Sequence, residues 1–320
     1  MYKDKKVLLI GGGGTLGTYV AEELLKKGCY VDIICPEDKQ SENKRLRFYK
    51  EYATQKFLQK LLLEEEYNGI VNFIHYPDVE EYKPIHKLLI AHTEHLIFLS
   101  SYRVYADLQH PIVESAPMLL DITKDEAFLK QETYALAKAR AEHYLWEECK
   151  NENWTIVRPV ISFSDRRMDL VMYSGHEIID KAKAGVVIPL PREAKYLTAG
   201  LDWAGNSGKL IANLLFKKEA VGEAYTISTA QNLTWGELAE MYTRLVGAKF
   251  EWIDSDTYFE ENVHPINWWA FIYDRLFDRT IDNTKVLSAT GLKKEDFLSI
   301  EEGMKIEINK ICRTFWNKDE

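Results

Sequence analysis

The sequence predicts an α/β fold, a doubly wound parallel sheet followed by a smaller mixed α/β C-terminal lobe. Three observations lead there. Up to about residue 160, short apolar runs alternate with amphipathic stretches of helical period, the rhythm of right-handed βαβ units. A run of glycines stands between the first such strand and the first such helix. Beyond residue 160 the rhythm loosens, and six of the eight tryptophans lie there: Trp203, Trp235, Trp252, Trp268, Trp269 and Trp316. The chain accordingly divides into residues 1–160, which build the sheet, and residues 161–320, a lobe whose segments partly interleave with it.

Residues 7–10 are a continuous apolar run of the kind buried on both faces of a parallel sheet. Residues 16–27 carry Leu16, Val20 and Leu24 on one helical stripe, and Gly28 is the stop. Residues 30–35 form the second strand, ended by Pro36, and the polar, basic loop 39–47 leads into a short third strand at 46–49. A helix over 54–65, a strand over 70–74, a helix over 79–92 interrupted by Pro84, and a strand over 96–99 continue the pattern. A loop rich in Pro, Asp and Glu spans 107–126, one long helix covers 128–150, and a strand at 155–158 closes this half. In the second half, residues 178–184, 205–215, 235–246 and 300–315 are expected to be helical, and 186–190, 225–228 and 250–253 to be strands. The tryptophans are expected to fill the core of the lobe.

The bulk chemistry excludes whole classes of function. With 46% apolar and 28% charged residues in 320, the chain has the composition of a packed globular protein. A net charge of −9 argues against a nucleic-acid partner, which needs a basic face. Cys29, Cys35, Cys149 and Cys312 form no CxxC pair, which fits free thiols in a reducing cytosol and neither a disulfide framework nor a zinc site. His92 and His95 are three apart but lack a third ligand, so no metal is expected. The four-residue apolar run near the N-terminus is too short for a signal peptide, and no apolar segment is long enough to span a bilayer. A cytoplasmic location, with no membrane partner, is the expectation.

Gly11, Gly14 and Gly17 stand at GxxGxxG spacing between strand and helix, with Thr15 and Leu16 opening the helix. Glycine permits the tight turn, the close approach of a pyrophosphate and close helix–strand packing, while the helix N-terminus offers free N–H groups and a positive dipole end. This is a Rossmann-type dinucleotide site. Tyr134 and Lys138, four apart on a helix, direct a phenol and an ammonium into one space. A phenol of ordinary pKa, near 10, is a poor base at neutral pH, and a neighbouring ammonium favours its ionised form. Ser100-Ser101 closes the strand at 96–99, at the sheet end where ligands bind, and a hydroxyl there can hydrogen-bond a reacting carbinol or ketone oxygen.

In this order and on these elements, the glycine loop, Ser101 and the Tyr134/Lys138 pair resemble the extended short-chain dehydrogenase/reductase superfamily, and within it the NAD-dependent epimerase/dehydratase family. The stretches Phe73-Ile74-His75, Leu99-Ser100-Ser101-Tyr102-Arg103-Val104-Tyr105 and Thr155-Ile156-Val157-Arg158-Pro159 are similar to its members, as are later segments up to Lys285. The resemblance implies that Gly11, Gly14 and Gly17 hold a pyrophosphate and that Tyr134 is the acid–base group. Lys138 would hold the nicotinamide ribose and favour the phenolate, and Ser101 would orient the substrate oxygen. Cys35 and His75 would lie on the adenosine side, and Pro159 and Val160 would border the nicotinamide. A homodimer through the helix of Tyr134 and its neighbour is also implied.

The departures narrow the reading. Family 4,6-dehydratases place Asp-Glu after the active-site hydroxyl residue, whereas Tyr102-Arg103 stands here, which disfavours dehydration. The Asn that nucleotide-sugar epimerases often carry after the strand at 155–158 is missing from Pro159-Val160-Ile161-Ser162-Phe163. Cys35-Pro36 replaces the acidic residue of NAD-preferring members and the arginine of NADP-preferring ones, while Lys39, Lys44, Arg45 and Arg47 stand near a 2′-phosphate position. With no arginine at the strand end, the cofactor is NAD or NADP with a lean to NAD. Two functions remain: an epimerase or ketone reductase working by reversible hydride transfer on an activated sugar or another secondary alcohol, and a non-catalytic dinucleotide sensor or scaffold.

Overall fold

The computed structural model describes residues 2–261 and 267–316. Its first half runs β1 (Lys6–Ile10), α1 (Thr15–Lys26), β2 (Tyr30–Cys35), β3 (Leu46–Lys50), α2 (Gln55–Glu64), β4 (Gly69–Asn72), α3 (Val79–Ile90) and β5 (His95–Leu99). It continues through α4 (Leu119–Ile122), α5 (Glu126–Gln131) and α6 (Ala135–Glu148) to β6 (Trp154–Pro159). The second half comprises β7 (Ile161–Phe163), α7 (Gly175–Lys183), β8 (Val187–Pro191), β9 (Leu201–Trp203), α8 (Ala204–Leu214) and β10 (Glu223–Ile227). It ends with α9 (Trp235–Val246), β11 (Lys249–Ile253), α10 (Ser255–Glu261), α11 (Trp268–Ala270), α12 (Thr284–Thr290) and α13 (Ile300–Trp316).

Seven strands form one parallel sheet in the order β10-β6-β5-β4-β1-β2-β3. This is the doubly wound Rossmann architecture, with the order reversing between β1 and β4, where such sheets bind ligands at their carboxyl ends. Val7, Leu8, Leu9 and Ile10 are fully buried, as a strand covered by helices on both faces must be. The lobe contributes to this sheet: β10 pairs with β6 in parallel, Glu223 opposite Thr155 and Ile227 opposite Pro159. Two small parallel pairs, β7 with β9 and β8 with β11, complete the strands of the described residues.

Four expectations need correction. The long helix expected over 128–150 is two, α5 and α6, broken because the Glu132 carboxylate accepts the backbone N–H groups of Tyr134 (2.9 Å) and Leu136 (3.0 Å). A side chain that satisfies these first amides starts a new helix there. The loop over 107–126 contains the short helix α4, and α3 runs through Pro84 without interruption. Of the tryptophans expected in the lobe core, Trp235 is fully buried, whereas Trp203, Trp252 and Trp269 are half-buried and Trp268 is exposed. The side chain of Trp316 lies outside the described residues. No helix among the described residues is long and apolar enough to cross a membrane.

Candidate active site

The glycine loop leaves β1 at its carboxyl end. Gly11 takes a φ of +73°, which L side chains rarely adopt, and a Cβ on Gly17 would lie 2.4 Å from the backbone of Gly12. Gly14 differs from both. It is the N-cap of α1, supplies no side-chain cap, and a Cβ there would meet nothing within 4 Å. The first N–H groups of α1 therefore open onto a cradle that a side chain would fill, the geometry a pyrophosphate needs.

Cations gather at the same loop. Lys39 (Nζ, 2.5 Å) and Arg166 (Nη1, 2.8 Å) both donate to the Gly13 carbonyl, and the Thr15 hydroxyl lies 3.0 Å from that of Ser164. Cys35 is buried beneath the loop, where burial pushes its thiol pKa up. The charge at the end of β2 comes from Glu37. Its Oε2 would lie 3.0 Å from a Cβ on Gly13, and a hydrogen bond from its own backbone holds its pKa below the usual carboxylate value. Of the basic residues expected near a 2′-phosphate, Arg45 pairs with Asp4 (2.9 Å) and Arg47 with Asp32 and Glu65, while Lys39 is committed to the loop carbonyl.

A pocket of about 360 Å³ opens beside this loop. Its walls bring Thr15 and Leu16 of α1 together with Ser101, Tyr134, Pro159 and Val160, residues that lie as much as 145 positions apart in the chain (Thr15 to Val160). Arg103 and Arg167 line it as well. Ser101 is buried, and its Oγ accepts the N–H of Arg103 (3.2 Å), capping the turn Tyr102–Val104. Tyr134 sits at the N-cap of α6, half-buried, with its ring 5.2 Å from that of His75 and the Arg103 guanidinium 5.1 Å from its centroid. His75, expected on the adenosine side, thus packs on the tyrosine. Burial lowers its pKa, and the neighbouring Lys138 lowers it further.

Lys138 lies one helical turn below Tyr134 and is fully buried, outside the pocket wall. Its ammonium donates to the carbonyls of Leu99 (2.6 Å) and Ile74 (3.1 Å), at the carboxyl ends of β5 and just past β4. Burial pulls its pKa down to about 7 against the opposing charge of Glu142. Sequence reasoning missed what lies beneath. Glu142 and Arg158, both buried, form a bidentate pair, and the Ser100 hydroxyl donates to the same carboxylate. Arg158 also donates to the Tyr105 hydroxyl (2.8 Å) and the Glu114 carbonyl (2.8 Å).

A family model for NAD dependent epimerases and dehydratases matches residues 7–190, more than half of the chain. The chain belongs to the NAD dependent epimerase/dehydratase family. No curated protein matches it by sequence. Among solved structures, UDP-glucose 4-epimerase of Thermotoga maritima superposes with a TM-score of 0.72 at 15% identity, covering 97% of this chain and 99% of that one. UDP-glucuronic acid 4-epimerase of Bacillus cereus, in complex with UDP-glucuronic acid and NAD, gives 0.71 at 17% identity over the same shares. ADP-L-glycero-D-manno-heptose-6-epimerase of Helicobacter pylori gives 0.70 at 11% identity, covering 97% of each chain. At such identities the likeness is one of fold.

Proposed function

We propose that this family member is an NAD-dependent epimerase or ketone reductase acting by tyrosine-assisted, reversible hydride transfer on a secondary alcohol, an activated sugar being the leading candidate. The observation that carries this reading is the pocket in which the N-terminus of α1, Ser101 and Tyr134 meet. Gly11, Gly14 and Gly17, with Thr15 and Leu16, would hold the pyrophosphate, and Pro159 and Val160 would border the nicotinamide. A nicotinamide bound there supplies a reversible acceptor for hydride from the carbinol carbon. Tyr134 takes the proton from the reacting hydroxyl and returns it, while Ser101 orients that oxygen. Lys138 acts from below, fixing the ends of β4 and β5 through two carbonyls, and is the residue that would hold the nicotinamide ribose.

NAD is preferred over NADP in this reading because Glu37 lies against the glycine loop while Arg45 and Arg47 are tied into ion pairs. Residues 1–160 form the dinucleotide-binding unit and residues 161–320 the substrate lobe, in a cytoplasmic protein that pairs as a homodimer through α6 and its neighbour. The solved nucleotide-sugar epimerases of the same fold support an activated sugar. The test is turnover by the NAD-loaded protein on a panel of sugar nucleotides and simple ketones, read as new epimer by chromatography or as a change in nicotinamide absorbance. Cofactor binding with no turnover across the panel replaces this reading with the sensor.

A further inference from the structure

The lining of the reacting pocket carries one sign of charge. Arg103 and Arg167 belong to its walls, and among the described residues no lining side chain is a carboxylate. Behind the wall lies an ion-pair cluster that leaves this charge incompletely balanced. Asp274 is buried and shared three ways, with Arg275, with Arg279 (Nε, 3.4 Å) and with Arg103 (Nε, 3.7 Å). Asp169 is shared by Arg275 (3.1 Å) and Arg167 (2.9 Å). Glu132 approaches Arg103 only at 3.5 Å, and its other oxygen is taken by the amides that start α6. Four guanidinium groups thus face three carboxylates. Arg103 stands at the end of this chain of sharing: its Nε, 3.7 Å from Asp274, is buried without a hydrogen-bond partner, as are the Arg279 Nε, the Tyr102 hydroxyl and Oδ1 of Asp274 itself.

We infer that the substrate carries a carboxylate close to its reacting carbinol, and that Arg103 is the specificity-determining residue that receives it. Three features favour this assignment, which rests on the hydride-transfer reading above. Arg103 follows Ser101 by two residues and lies against the Tyr134 ring, so its ligand sits next to the reacting oxygen, while Lys39 and Arg166 are committed to the Gly13 carbonyl. The excess is one positive charge, which a single carboxylate neutralises and a doubly charged phosphate would overshoot. The planar guanidinium fork of Arg103 matches the two oxygens of a carboxylate.

Calorimetry on the NAD-loaded protein tests this with two matched pairs, UDP-glucuronate against UDP-glucose and glucuronate against glucose. The carboxylate member of at least one pair is expected to bind the wild type at least tenfold more tightly. Arg103→Gln should erase that ratio and leave NAD affinity unchanged, while Arg103→Lys, which keeps the charge but loses the fork, should retain part of it. The ratio is the decisive readout, because a merely structural role for Arg103 would weaken both members of a pair alike. Equal affinities within both pairs, immeasurable ones included, overturn the inference, as does a preference that survives Arg103→Gln. Tight, Arg103-dependent binding of a carboxylate ligand without turnover would sink the hydride-transfer reading and leave the carboxylate site standing. Turnover of the neutral members alone would do the reverse.

Discussion

At the glycine loop the cleft is made of backbone: Gly14 offers an open N-cap, and Gly11 and Gly17 are held by a positive φ and by contact with the chain itself. At the other end it is made of side chains, Ser101, Arg103 and Tyr134, each set by a partner distant in sequence or by a cap on a neighbouring turn. A backbone site depends on a few glycines and tolerates change around them. A side-chain site depends on the shell that orients it, so its loss can be chemical at one residue and structural at the next.

Tyr134→Phe separates these cases most sharply. It removes the transferable proton and keeps the ring against His75, so turnover should fall by about 10²–10⁴-fold with NAD affinity unchanged. Near wild-type turnover would sink the tyrosine mechanism. Glu142→Gln, a residue that touches no ligand, leaves Arg158 buried without its counter-charge and should cost about 3–5 kcal/mol in denaturant unfolding. If it costs under about 1 kcal/mol, the shell beneath the site is not what holds it.

At the backbone end, Gly14→Val should fold normally, since a Cβ there meets nothing within 4 Å, yet lower NAD affinity by two orders of magnitude or more, about 2.7 kcal/mol, in calorimetry. Gly17→Ala, with its Cβ 2.4 Å from Gly12, should instead lose the fold by circular dichroism. Unchanged affinity in Gly14→Val would remove the phosphate cradle. A last prediction, on pH, concerns Lys138. Its folded pKa of about 7 lies below the ordinary lysine value, so between pH 7 and about 10 the unfolded chain binds the extra proton and stability rises with pH. Relative to Lys138→Met, the wild type should gain up to about 1.4 kcal/mol per pH unit across that window. A flat difference would mean that the ammonium stays charged in the fold.

The backbone end was the more legible in sequence because its signal is local: glycines at fixed spacing, a buried strand before them and an amphipathic helix after. The residue types of the reacting end were legible too, as Ser101, Tyr134 and Lys138. Their placement was not. The carbonyls that hold Lys138 lie 39 and 64 residues away, and the break before α6 depends on what the Glu132 side chain caps, an event with no periodicity. Arg103 stood out only as a departure at its position, since the carboxylate it shares is Asp274, far along the chain. Glu37 sits two residues past the strand end where an acidic residue was sought.

The Glu142–Arg158 pair also has a consequence for motion. It ties α6, which carries Tyr134 and Lys138, to β6, which leads into Pro159 and Val160, and through Ser100 it includes β5 and the approach to Ser101. Three elements clamped by buried charge travel as one rigid body.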